Sequence, residues 1–244
     1  MSKVRSVAAP RCLHARRISH HRGYHSHEHP PTPAFTPTEN TILSAALAHV
    51  PTHGFTPLAL THGARQAGYL DISTNLFPTG AFALVHYHLL TQRLALASHF
   101  SPKPTPSENI PSKITRLALH RLRANKPIIR RWQAALALSA QPSYLPTALK
   151  ELALLSDEIL YLAGSTTVTG AWYTDRAAVS AIYASAELFM TQDESREFEE
   201  TEKFLERRMQ EAEGLKTGLG FMGQWLGMQA VGAVGGLRSK GVWI

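Results

Sequence analysis

The residues with the most distinctive chemistry are an aromatic pair and an arginine that lie close together in the sequence. Trp172 and Tyr173 are followed about one helical turn later by Arg176, at the start of a long Ala-rich stretch. Large aromatic rings and guanidinium groups often anchor protein interfaces, because they bury apolar area while their polar tips find partners. Asp157 can pair with Arg176 or with a basic partner. The pattern favours binding, although Trp172 could also simply plug a helix end.

No group of residues has the spacing of a catalytic centre. The chain lacks a Glu-x-x-His pair of the di-iron kind, a phosphate-binding glycine loop and a serine in a nucleophile-elbow setting. Its single cysteine, Cys12, lies in the N-terminal tail. His86 and His88 point to different faces of a helix, which suits structural histidines better than a metal pair. We predict no enzyme, no cofactor and no metal, with a histidine-dependent hydrolase or isomerase as an alternative.

Helical patterns dominate the stretches that position these residues. Thr36-Pro37 and Thr56-Pro57 are helix-start signals, and a third element at 71–78 and a long helix at 81–99 follow them. This order is also that of a TetR-type helix-turn-helix head, so we predict an all-α, TetR-like fold. The predicted organisation is a transit peptide and Pro-rich leader at 1–35, a helix-turn-helix head at 36–100, a second helical domain at 110–213, and an amphipathic helix at 214–237.

Several motifs in the second half of the chain together resemble one known family. They are Leu-Ser-Asp-Glu-Ile-Leu-Tyr-Leu-Ala-Gly (155–164), Trp-Tyr-Thr-x-Arg-Ala (172–177), Ala-Ile-Tyr (181–183), Glu-Leu-Phe-Met (187–190) and Phe-Leu-Glu-Arg-Arg (204–208). With them the chain resembles, over residues 38–237, the family of the ninth Coq protein, a mitochondrial accessory protein of ubiquinone biosynthesis. The resemblance implies a TetR-like homodimer that binds an isoprenoid or phospholipid ligand and presents quinone intermediates to the di-iron demethoxyubiquinone hydroxylase of the ubiquinone-biosynthesis complex.

The resemblance also implies roles for particular residues. The surface that faces the hydroxylase carries over to Asp157, Ile159, Trp172, Tyr173 and Arg176. A polyprenyl tail leaves a bilayer only where an apolar cavity replaces the lipid around it. We expect Ile182, Leu188 and Phe189 to line that cavity.

The N-terminal tail has the composition of a targeting segment. It is rich in Arg, Ser, Ala and His and has no acid before Glu28, as in a mitochondrial transit peptide. A basic disordered tail that binds nucleic acid is the alternative. We predict a mitochondrial protein at the matrix side of the inner membrane. Without the first thirty residues the chain is nearly neutral, with 19 basic and 17 acidic groups.

Charge decides between the expected functions of the head. A ligand-responsive DNA-binding regulator needs several free bases near its recognition helix. Residues 38–100 contain only Arg65 and Arg93 against Glu39 and Asp71, so we predict no nucleic-acid partner. Positive charge is concentrated instead at 113–131, which holds seven bases and no acid. By charge alone that segment suits an anionic membrane, a nucleic acid or an acidic partner, or it is a solvated helix face.

The last apolar stretch, at 215–237, contains one full charge and many glycines. Because glycine weakens a helix in water, a covering surface should stabilise this segment, as in an interfacial helix. A transmembrane span and a core helix of a dimer are the alternatives. The residues expected to contact the inner membrane are Leu215, Leu219, Phe221, Met222, Trp225, Leu226 and Met228.

Overall fold

The computed structural model describes residues 34–100, 109–165 and 171–214, apart from the side chains of His99, Ala171 and Trp172. These residues form helices and turns without a strand, which confirms the predicted all-α class. The α-helices are α1 (Pro37–Leu47), α2 (Val50–His53), α3 (Pro57–Gln66), α4 (Phe82–His99), α5 (Ile110–Arg123), α6 (Ile129–Ser139), α7 (Leu145–Ala163), α8 (Ala171–Met190) and α9 (199–214). Short 3₁₀ segments occupy Asp71–Leu76, Lys126–Ile128 and Arg196–Phe198.

Local signals set most helix starts. Thr56 caps α3, since its hydroxyl oxygen accepts a hydrogen bond from the backbone N–H of Ala59, and Pro57 occupies the first turn. Pro111 likewise lies in the first turn of α5. Pro51 lies in the first turn of the short α2. The reason is that proline is tolerated where no intrahelical N–H bond is needed.

Three further elements show how the chain enters or leaves a helix. The third element of the head is the 3₁₀ segment Asp71–Leu76. The Trp-Tyr-Thr-Asp-Arg run lies in the first turns of α8, which begins at Ala171. The charged helix α9 begins at 199. There Asp193 accepts hydrogen bonds from the backbone N–H groups of Ser195 and Thr201, at 2.8 Å each, and so ends the preceding loop.

The core of the body forms where α4, α5, α7 and α8 meet. All of these helices belong to one compact unit that begins at Pro37. Leu205 and Met209 add a side of α9 to the same core. Its buried side chains are Leu96, Leu117, Ala118, Leu119, Leu122, Leu155, Ile159, Leu160, Ala163, Val179, Tyr183, Ala186, Met190, Leu205 and Met209. The packing places α7 and α8 side by side, so that the end of one helix and the start of the other form a corner.

Candidate functional site

The corner between α7 and α8 brings together three of the five residues predicted for the partner interface. Helix α7 ends at Gly164, whose φ of 81° is favourable only for a residue without a Cβ. Arg176 Nε donates to Asp157 Oδ1 at 2.7 Å, and Nη2 donates to the same oxygen. Tyr173 lies beside this ion pair in sequence and is 74% exposed. Of the two pairings open to Asp157, the intramolecular one with Arg176 is present.

The other two residues predicted for the partner interface are Ile159 and Trp172. Ile159 is fully buried in the core, so its side chain is not part of an exposed surface, and the prediction that it contacts a partner is corrected. The apolar period of α7 turns Ile159 inward while Asp157, two positions earlier, faces the corner. Trp172 begins α8, and its side chain is outside the described residues.

An apolar cavity of about 200 Å³ lies between α4, α6, α7 and α8. Its volume is below the roughly 300–1,000 Å³ of sites that enclose a drug-sized ligand, so it can take only part of a long lipid. The lining is mainly aliphatic, with polar side chains only where α6 meets α8. The lining residues are Leu89, Trp132, Leu136, Ser139, Ala140, Leu145, Ala148, Leu149, Leu152, Leu155, Tyr183, Ala184 and Glu187.

The residues predicted for a lipid pocket do not line this cavity. Leu188 and Phe189 are 53% and 39% exposed, and Phe189 stacks on Phe204 of α9 with ring centroids 4.7 Å apart. Ile182 is half-buried against the core. These three residues therefore lie away from the cavity, because α8 turns a different side, with Tyr183, Ala184 and Glu187, towards it.

Asn125 is the hub of a buried polar network next to the cavity. Its Oδ1 accepts hydrogen bonds from His88 Nε2 and Arg121 Nη1, at 2.9 Å each, and its Nδ2 donates to Glu187 Oε1 at 3.1 Å. The hydroxyl of Tyr183 also donates to Glu187 Oε1, at 3.4 Å. The network therefore joins α4, α5 and α8 through side chains that are almost completely buried.

Burial controls the protonation of this network. It lowers the pKa of His88 to about 4, and the nearby Arg121 charge adds to the shift, so His88 is neutral at physiological pH. Burial raises the pKa of Glu187, while the Arg121 charge and the donors around the carboxyl oppose that shift. The buried atoms Arg121 Nε, Arg121 Nη2 and Trp132 Nε1 have no hydrogen-bond partner among the described residues. Such atoms are uncommon in folded proteins and often mark functional groups.

The residues predicted from the sequence do not include Asn125, Trp132 and Glu187. Two signals were available: Glu187 is an acid inside the otherwise apolar and small-residue stretch 177–190, and Trp132 directly follows the basic segment. His88 was expected to be a surface or core histidine, and it lies in the core, 4% exposed. Among the described residues no group of three or more His, Cys, Asp or Glu side chains is placed to hold a metal ion.

Both arginines of the head are paired with carboxylates, one within the head and one on α7. Arg65 donates from Nε and Nη2 to the two carboxylate oxygens of Asp71, at 2.6 and 2.5 Å, and these hydrogen bonds lower the pKa of Asp71. Arg93 Nε donates to Glu151 Oε2 at 3.2 Å. The described part of the head, residues 38–100, is therefore left without an unpaired lysine or arginine.

The basic segment at 113–131 is less positive than its sequence indicates. Arg121 is buried, Arg123 Nη2 donates to Glu202 at 2.9 Å, and Lys126 Nζ donates to Glu197 at 2.6 Å. These acids come from the loop before α9 and from α9 itself. Three of the seven bases are thus buried or paired with an acid of the same chain, although both ion pairs remain about half exposed. The net positive charge that this segment offers to an external anion is correspondingly lower.

The residues predicted to bind a membrane, at 215–237, lie outside the described residues. Within the described residues, no helix combines the length and the low polarity that a membrane crossing requires.

Comparisons with known proteins agree on one family. Residues 145–216 match the COQ9 family. The chain is 39% identical over 221 residues to the Schizosaccharomyces pombe "Ubiquinone biosynthesis protein coq9, mitochondrial", with 91% of this chain and 88% of that protein covered. The Homo sapiens and Drosophila melanogaster proteins named COQ9 are 34% and 35% identical. The matches cover 71% and 70% of this chain but only 57% and 54% of those proteins, so the chain spans little more than half of their length.

A solved structure supports the fold. The TetR transcriptional regulator from Nitrosomonas europaea superposes with a TM-score of 0.55, covering 72% of this chain and 98% of that chain, at 13% sequence identity. A likeness at this identity concerns the fold alone, and it confirms the predicted TetR-like architecture.

Proposed function

This chain belongs to the COQ9 family, and from that membership we propose that it is a non-catalytic accessory protein that binds polyprenylated quinone intermediates and presents them to the demethoxyubiquinone hydroxylase. The names of its relatives support a role in ubiquinone biosynthesis. Binding and presentation are the parts that we add. We also propose that it acts as a homodimer on the matrix side of the mitochondrial inner membrane.

The apolar cavity between α4, α6, α7 and α8 is the observation that carries the proposal. A polyprenyl chain is held in a bilayer by the hydrophobic effect. A protein that lifts the quinone ring of such a lipid out of the bilayer must therefore cover the adjoining apolar carbons. Leu89, Leu136, Leu149 and Leu152 provide such a lining. Because the cavity encloses only about 200 Å³, the far end of a long tail would stay in the membrane.

The exposed corner supports the presentation step. Tyr173 lies ten residues before Tyr183 on α8, which corresponds to about 15 Å along the helix axis. A hydroxylase bound at the corner would therefore be within one helix length of the cavity. The ion pair between Asp157 and Arg176 is partly shielded from solvent and holds the corner in one geometry, while Tyr173 offers an aromatic anchor.

Filling the cavity tests the proposal directly. Ala148 lines the cavity, and Ala148→Trp should occupy much of its volume. We expect lipids that co-purify with the full chain, detected by mass spectrometry, to fall at least about fivefold, since the ligand loses its apolar contacts. Ala153→Trp is the matched control, because Ala153 is exposed on the same helix. Equal lipid content in the two variants would contradict binding at this cavity.

A further inference from the structure

One wall of the apolar cavity carries polar groups, and only some of these groups have all their hydrogen bonds made within the protein. Ser139 Oγ donates to the backbone carbonyl of Ala135 at 2.9 Å, and the Tyr183 hydroxyl donates to Glu187 Oε1. These two lining groups are therefore occupied within the protein. Trp132 and Glu187 line the same cavity and are not fully bonded.

The indole N–H of Trp132 is the first incomplete group. Trp132 Nε1 is buried and has no hydrogen-bond partner among the described residues. It lies near the Glu187 carboxyl, where it opposes part of the rise in pKa that burial causes, but the two groups do not meet hydrogen-bond geometry. A buried donor without a partner is costly, so a ligand that completes it gains affinity.

The second group with an unused hydrogen-bonding position is the carboxylate oxygen Oε2 of Glu187. Asn125 Nδ2 and the Tyr183 hydroxyl both donate to Oε1, and no donor of the described residues reaches Oε2. Asn125 is in turn held by His88 and Arg121, so the carboxyl has one fixed orientation. The wall thus offers one donor and one acceptor next to each other in an apolar space.

Resting on the function proposed above, we propose that Trp132 and Glu187 are specificity-determining residues that select apolar ligands carrying a hydroxyl group at this end of the cavity. The hydroxyl donates to Glu187 Oε2 and accepts from Trp132 Nε1. A hydroxyl is the smallest group that serves both atoms at once. A water molecule fits less well, because buried waters typically make about three hydrogen bonds and the remaining lining is aliphatic.

Three probes with the same hexylphenyl body separate this inference from apolar binding alone. Para-hexylphenol donates and accepts, para-hexylanisole only accepts, and hexylbenzene does neither. Their dissociation constants for the full chain and its variants are measured by equilibrium dialysis at neutral pH. For each probe, the dissociation constant for a variant is divided by that for the wild type, so that the free energy of removing the probe from water cancels.

Glu187→Gln keeps the shape of the side chain and replaces the free acceptor by a donor. We expect it to weaken the binding of para-hexylphenol about fivefold, the equivalent of one hydrogen bond, without weakening the binding of the other two probes. Trp132→Phe removes the donor and should weaken phenol and anisole about fivefold, but not hexylbenzene. Glu202→Gln, outside the cavity in the ion pair with Arg123, is the control and should change none of the three.

Trp132 is fully buried, so circular dichroism must first show that Trp132→Phe is folded. If Trp132→Phe does not fold, the result for Glu187→Gln alone decides whether the inference stands. The inference is overturned if Glu187→Gln leaves phenol binding unchanged or weakens all three probes alike. If the wild-type chain binds none of the probes, both the proposed lipid binding and this inference are contradicted. If it binds hexylbenzene tightly but does not prefer para-hexylphenol, only this inference is contradicted.

Discussion

The neutral His88 makes the stability of the fold depend on pH. Burial lowers its pKa from 6.5 to about 4, so between these values the unfolded chain binds a proton that the folded chain does not. Stability is therefore full above pH 6.5 and falls as the pH decreases towards 4. We expect a loss of about 2 kcal/mol between pH 7.5 and 5, measured by urea unfolding. In His88→Gln, whose amide can still donate to Asn125, this part of the loss should disappear, and an identical pH dependence would contradict the assignment.

Tyr173 allows a residue-scale test of the partner surface. Its ring is 74% exposed, so Tyr173→Ala removes contact area without opening the core. We expect the affinity for the demethoxyubiquinone hydroxylase in a pull-down to fall about tenfold or more, as for an aromatic anchor, with an unchanged melting temperature. Tyr69→Ala is the control, because Tyr69 is an exposed tyrosine of the head. Unchanged affinity would place the hydroxylase on another surface.

At the scale of elements, the contact between α1 and α3 depends on a missing side chain. A Cβ at Gly63 would lie 2.4 Å from the Cβ and 2.5 Å from the Cα of Ala46, so the two helices pack backbone to backbone. Gly63→Ala should therefore lower the free energy of unfolding by at least about 2 kcal/mol, despite the higher helix propensity of alanine.

Gly214→Ala is the matched control for that substitution. Gly214 is helical, and nothing lies within 4 Å of the position of its Cβ. The same change there should be neutral or stabilise the chain by up to about 1 kcal/mol. Chemical denaturation of both variants compares them, and equal effects would mean that propensity rather than the approach of α1 controls position 63.

At the scale of the whole molecule, charge and apolar surface are distributed in different parts of the chain. Both arginines of the head are paired with carboxylates, and acids near α9 pair with part of the basic segment. We therefore expect the proposed attachment to an anionic bilayer to depend on the remaining bases and on the apolar stretch at 215–237. We expect deletion of 215–237 to abolish co-sedimentation with cardiolipin-containing liposomes. Binding that persists would assign the membrane contact to the basic helices, and circular dichroism should confirm that the truncated chain is folded.

The sequence by itself determined the helical class, most helix starts and the family. These follow from local physics and composition: threonine caps, prolines in first turns, the apolar period and motifs of adjacent residues such as Trp172-Tyr173. The intramolecular partner of Asp157 was also among the sequence alternatives, because Arg176 is its nearest base on the next helix.

Only the tertiary structure decided which side of α8 faces the cavity and where the buried charges lie. Helix α8 is apolar or small on nearly every side, so its periodicity does not single out Tyr183 and Glu187 over Leu188 and Phe189. Asn125 bonds Glu187 across 62 positions, and Arg123 bonds Glu202 across 79. Hydrogen bonds between residues so far apart arise from the packing of helices, and no local spacing of residue types encodes them.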